Sequence, residues 1–198
     1  MDNDKHDLRI VKTEYLLSKA LFDLLKSNLF SNITVNDICN EAMVSRSAFY
    51  DHFNDKYHLL RSGLDTINMD FKSQLVGRPL REYIHIMLVH IMTNDSIFKN
   101  IVKSGLNKEL LEIILQPHMS NIEKAMTYYL RNNTYNKNAA SLSVPPQTVA
   151  FYHASGIVIT IFMWIEQNMD YSVEEMTDYL VSLLPSTIRD ITIIPELN

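Results

Sequence analysis

Residues 34–53 read TVNDICNEAMVSRSAFYDHF, and two helix starts fall inside that short run. Thr34 is followed three residues later by Asp37, so a hydroxyl and a carboxylate stand where a first turn leaves backbone N–H groups free. Ser45 repeats the signal ahead of a second apolar pattern. A helix opened at Thr34 must end before Ser45, which fits two short helices, 35–42 and 46–53, joined by a turn of about four residues. Val35, Ile38 and Ala42 then pack against Val44, Ala48 and Phe49, leaving Ser45, Arg46, Ser47 and Tyr50 on the outer face of the second helix. Hydroxyls, a guanidinium and a phenol are groups that grip phosphates and base edges of DNA. Their place in the first turns of a short helix suits entry into a major groove.

The flanks extend this into a helical chain. Ile10, Leu17, Leu21, Leu24 and Leu25 recur at helical spacing and predict a first helix over 7–27. Asn28 is read as its left-handed end. Asn54 is expected to cap a fourth helix over 55–75, after which Gly77 and Pro79 mark a break. Further helices are expected over 79–92, from the Asn94-Asp95-Ser96 cap to Gly105, and over 108–131 with a kink or break at Pro117. Residues 132–144 read as an Asn/Ser-rich loop. Pro145-Pro146 opens a helix to about residue 168, and Ser172 with Glu175 forms a capping box for a ninth over 173–184. The tail from Pro185 is left unassigned.

Composition agrees: 4 Gly and 6 Pro in 198 residues leave few helix breakers. The expectation is an all-α fold of about nine helices. Residues 1–56 form a helix-turn-helix domain, 57–78 a connecting helix, and 79–198 a domain for an effector and for dimerisation. The single cysteine, Cys39, excludes an internal disulfide and a cysteine-cluster zinc site. The polar stretch 1–12 lacks a signal-peptide core, and the longest apolar run, 154–165, is read as a buried helix rather than a membrane span. A cytoplasmic location is expected. Charge does not favour nucleic acid: the chain carries −5, and residues 1–56 hold seven Lys and Arg against nine Asp and Glu, a net of −2. Binding to DNA must then rest on locally placed groups and helix N-termini.

From Ala20 to Leu60 the sequence ALFDLLKSNLFSNITVNDICNEAMVSRSAFYDHFNDKYHLL resembles the TetR family signature. Thr34-Val35, Asp37-Ile38, Ala42, Val44-Ser45, Phe49-Tyr50, His52-Phe53, Lys56 and Leu59-Leu60 match in one register. The resemblance implies that Arg46, Ser47 and Tyr50 face the major groove. It also implies that Thr34, Tyr50, His52 and Lys56 touch or orient phosphates, with a structural role as the alternative for His52. Asn28 and Met43 depart from it, standing where the family commonly has Gly. A left-handed Met43 would cost about 1–2 kcal/mol unless the turn takes another conformation.

Residues 164–176, WIEQNMDYSVEEM, resemble a C-terminal type within that family that includes regulators of dihydroxyacetone kinase operons. That similarity implies a homodimer through the eighth and ninth helices. Apolar residues on more than one face of the eighth (Val149, Phe151, Tyr152, Ile157, Val158, Ile161, Phe162, Ile165) suit a helix covered on two sides. A dimer would place two recognition helices on a palindromic operator.

Candidate effector-pocket residues among helices five to eight are Met87, His90, Phe98, Met119, Met126, Tyr129, Tyr152 and Met163, each weighed against plain packing. No nucleophile, P-loop or paired-carboxylate motif points to an enzyme, and no cofactor is expected. His85 and His90, five apart, are a poor zinc pair. The reading is a double-stranded-DNA-binding regulator, a repressor released by a small molecule. A co-activator or adaptor acting through a protein partner is the alternative.

Overall fold

The computed structural model describes residues 2–64, 78–105, 107–131 and 144–189. The expected reach of the fourth helix to 75, the break at Gly77, residues 132–143 and the tail 190–198 lie outside the described residues. Among the described residues the elements are helices: α1 (Asp2–Leu25), α2 (Val35–Ala42), α3 (Arg46–His52), α4 (described over 56–64), α5 (Leu80–Thr93), α6 (Asp95–Val102), α7 (Lys108–Arg131), α8 (Pro146–Glu166), α9 (Val173–Ser182) and the short α10 (Ser186–Arg189). The chain divides into two compact units, one of residues 1–70 with 96–107, the other of 71–95 with 108–198. α6 therefore belongs with the N-terminal unit, although it follows α5 in sequence.

In the first unit Leu17, Leu21 and Leu25 of α1 are fully buried, as are Phe30, Ile38, Phe49, Leu59 and Leu60. Cys39 is part of this core, and burial pushes its thiol pKa up. Gly63 of α4 approaches α1 so closely that a methyl group there would lie 2.6 Å from the Phe22 ring. Asn28 does not take the left-handed conformation expected of it. Instead its backbone N–H and its side-chain amide both donate to the Leu24 carbonyl at 3.0 Å, so the last turn is capped without that strain.

The second unit pairs α7 with α8 and α5 with α9. Leu80, Ile84 and Leu88 of α5, Ala154 and Trp164 of α8, and Leu180 of α9 anchor its core. Of the kink or break expected at Pro117, the break does not occur: α7 runs through the proline. One lost backbone bond is outweighed by a long helix packed against α8. The capping box at Ser172 forms, with the Glu175 carboxylate accepting from the Ser172 N–H at 2.9 Å and the Ser172 hydroxyl from the Glu175 N–H at 3.2 Å. Within the tail, Arg189 reaches back to donate to the Leu184 carbonyl at 2.7 Å.

Residues Gln147–Glu166 are, by length and composition, apolar enough to cross a membrane, with mean hydropathy 1.6. Ser155, Gly156 and Thr160 interrupt the apolar run without lowering its mean far. One face of α8 (Ala150, Ala154, Ile157, Val158, Ile161) is buried in the unit. The opposite side leaves Tyr152, Ile159 and Met163 exposed, and Leu183, beyond α9, is 74% exposed.

Candidate nucleic-acid interface

The N-cap of α2 is closed on both sides. The Thr34 hydroxyl accepts from the Asp37 N–H at 3.2 Å, while the Thr34 N–H donates to the Asp37 carboxylate at 2.9 Å. Bonds from the Thr34 hydroxyl and N–H hold the Asp37 carboxyl below its usual pKa. α2 ends at Met43, with φ 54° and ψ 39°, and the Val44 N–H returns to the Cys39 carbonyl at 3.0 Å. The turn has kept the left-handed geometry and accepted the cost of a side chain in it. Met43 is 95% exposed, so no packing repays that strain.

Ser45 caps α3 by accepting from the Ala48 N–H at 3.1 Å. Phe49 is fully buried and meets Phe53 with ring centroids 5.9 Å apart, which fixes the rotation of α3 about its axis. Ser45, Arg46, Ser47 and Tyr50 consequently point to solvent, Tyr50 at 51% exposure with its ring edge-on to Phe49 at 5.3 Å. A cap hydroxyl, a guanidinium, a second hydroxyl and a phenol thus share one accessible surface.

His52 and Lys56 are placed differently. His52 is the last residue of α3, and its Nδ1 lies 3.3 Å from Glu14 Oε1 on α1. The Lys56 ammonium donates to the carbonyls of Phe30 at 2.8 Å, Ser31 at 3.2 Å and Ile33 at 2.8 Å. It also lies 4.7 Å from the Phe30 ring centroid. Burial pulls its pKa below the ordinary lysine value. Lysine has three N–H donors, and here each has a carbonyl. The sequence offered no signal for Glu14 or for these carbonyls, which are contributed from outside the motif.

The effector candidates are scattered. Met87 is buried in the second unit, and His90 is half-buried there with its pKa lowered by desolvation. Phe98 lies on α6, which belongs to the first unit. Tyr152 and Met163 face outward on α8. The side chains of Met126 and Tyr129 lie outside the described residues. Met119 does line an open cavity of about 440 Å³ between α7 and α8, with Glu123, Gln147, Thr148, Ala150 and Phe151. In the sequence Gln147 and Thr148 follow Pro145-Pro146, a pattern that marks a helix start and carries no sign of a cavity lining. Among the described residues no three His, Cys, Asp or Glu side chains cluster to hold a metal.

Comparison with known proteins places this geometry. Residues 19–62 match the family profile described as bacterial regulatory proteins, tetR family. The chain is 37% identical over 57 residues to the uncharacterized HTH-type transcriptional regulator YxbF of Bacillus subtilis strain 168, a match covering 28% of this chain and 15% of that protein. It is 38% identical over 48 residues to DhaS, the HTH-type dhaKLM operon transcriptional activator of Lactococcus lactis subsp. lactis strain IL1403, covering 24% of this chain and 26% of DhaS. The match thus spans only about a quarter or less of the length of these curated relatives. The fold reaches further. A TetR transcriptional regulator from Streptococcus agalactiae 2603V superposes with TM-score 0.66 at 22% identity over 91% of this chain and 98% of its own.

Proposed function

We propose that this chain, of the TetR family by its DNA-binding segment and its fold, is a transcription regulator that binds double-stranded DNA through α3 and carries out no catalysis. One observation carries the reading: Ser45, Arg46, Ser47 and Tyr50 lie exposed together at the start of a short helix locked by its own cap and by buried Phe49. Arg46 is the base reader, and Ser45, Ser47 and Tyr50 serve phosphates or base edges. Thr34 sets the start of α2 beside the backbone, and His52 orients α3.

The active form is a homodimer. Tyr152, Ile159 and Met163 on α8 and Tyr179 and Leu183 at α9 leave an apolar surface that a second copy would cover. Such a dimer reads a palindromic operator with two α3 helices about one DNA turn apart. The cavity beside Met119 and Glu123 is the site for a small-molecule effector that releases the repressor. Work in the cytoplasm follows from the DNA target.

A second reading is favoured by two observations. The N-terminal segment 1–56 is acidic by two charges, and DhaS, to which it is similar, is named an activator. On that reading the chain is an adaptor that acts through a protein partner. Fluorescence anisotropy with the duplex upstream of its own gene separates the two. The first expects saturable binding by the chain alone that Arg46→Ala weakens. Binding only after a partner protein is added would favour the second.

A further inference from the structure

The ammonium of Lys56 and the turn at 30–33 stand in a relation that the matching of motifs does not suggest. A lysine in the first turn of a helix gains nothing from the helix dipole, whose positive end it faces. An anion outside the protein would compensate for that. Here carbonyl oxygens inside the protein do so instead. Phe30, Ser31 and Ile33 each accept one N–H, and the Phe30 and Tyr57 rings, 5.0 Å apart and edge to face, flank the charge.

The turn held in this way is the entry to the motif. Its next residue, Thr34, is the cap of α2. The other side of the same turn is held by α6 and the turn that follows it, through the Phe30 N–H to the Asn100 carbonyl at 3.2 Å and the Ser31 N–H to the Ser104 hydroxyl at 3.0 Å. Lys56 itself begins α4, just beyond Phe53, the C-cap of α3. One ammonium therefore joins the residue run that enters the helix-turn-helix to the helix that leaves it.

We infer that Lys56 is a positioning residue, which aims α2 and α3 by clasping the 30–33 turn and makes no phosphate contact of its own. This rests on the DNA-binding reading, and it divides from that reading in what it predicts. A phosphate-bound lysine contributes to counterion release, so removing it lowers the slope of log affinity against log salt by about one. A clasp contributes to affinity without contributing to the slope.

The experiment uses the full-length protein and a duplex that the wild type selects from a random-sequence library. In the free wild type, ¹⁵N-resolved NMR should show a Lys56 ammonium signal protected from solvent exchange, and adding the duplex should leave it in place. Lys56→Met should weaken binding roughly tenfold at every salt concentration, giving a line parallel to that of the wild type. Lys56→Gln, which keeps one amide donor for a carbonyl, should fall between them. Three results would overturn the inference: no protected signal in the free protein, a signal that moves on DNA binding together with a slope lowered by about one, or unchanged affinity in folded Lys56→Met. A wild type that retains no duplex at all would overturn the DNA-binding reading instead, and the ammonium signal would still decide whether the clasp exists.

Discussion

His52 and Glu14 meet at 3.3 Å, which ties the end of α3 to the middle of α1. His52 is only 14% exposed in its side chain, whereas Glu14 is 42% exposed. An acceptor half in water gives a weak bond, so most of what His52 contributes is its buried ring. His52→Ala should destabilise the protein by about 1–2 kcal/mol in urea unfolding, and Glu14→Gln by well under 1 kcal/mol. A double-mutant cycle with coupling above about 1 kcal/mol would contradict this ordering.

Met43→Gly should stabilise the fold. Removing the side chain relieves a left-handed strain of about 1–2 kcal/mol, partly offset by the freedom glycine gains in the unfolded chain. The same site should reject Met43→Val, whose branched β-carbon suits that conformation worse. Thermal unfolding midpoints in the order glycine, methionine, valine are the expected outcome.

Acid should weaken the helix caps. Asp37 and Glu175 both have folded pKa values below the usual ones, first through side-chain bonds from Thr34 and Ser172 and then through backbone bonds from the same residues. A depressed carboxyl pKa gives stability that is present above the unfolded value, near 4, and lost as pH falls through the folded one. Denaturation midpoints should decline below about pH 4, and Thr34→Ala with Ser172→Ala should flatten that decline while costing about 1 kcal/mol per cap at neutral pH.

Arg81 of α5 spans two carboxylates of α9, Glu174 at 2.6 Å and Asp178 at 2.7 Å. All three are well exposed, so the bridge is open to screening. Arg81→Met should lower the melting temperature slightly in low salt and match the wild type in 1 M NaCl, near the range where the Debye length is about 3 Å.

The proposed dimer has its own test. Leu183→Glu places a carboxylate on the exposed apolar surface without touching a buried side chain of its own unit. Sedimentation should then give monomers with an unchanged circular dichroism spectrum. A persistent dimer would remove that surface from the interface.

Helix positions were legible wherever a cap and a period agreed. Thr34, Ser45 and Ser172 each open a helix where the sequence put one, because capping is a local matter settled within three residues. Asn28 misled because its side-chain amide gives it a second way to cap the last turn, and Pro117 does not break α7 because packing against α8 outweighs the one backbone bond lost there. The outward set on α3 was readable for the same reason that buried Phe49 was, since one fixes the other. The Lys56 carbonyls and the α6 contacts could not be read, because they join residues far apart in sequence through backbone atoms that every residue carries. The unit that α6 joins was hidden by the same limit: nothing in that helix alone says which unit it packs into.

Cys39 brings one more property. It is the chain's single thiol, it lies at the centre of the α2 face, and only 3% of its surface meets solvent. A thiol reagent can modify it only when that helix lifts away, so the natural protein already contains a stopwatch for local opening. Under saturating reagent, the colour release follows how often α2 leaves its seat, with no label or substitution introduced. Comparing that rate with and without DNA would measure how firmly a bound duplex keeps the reading head closed.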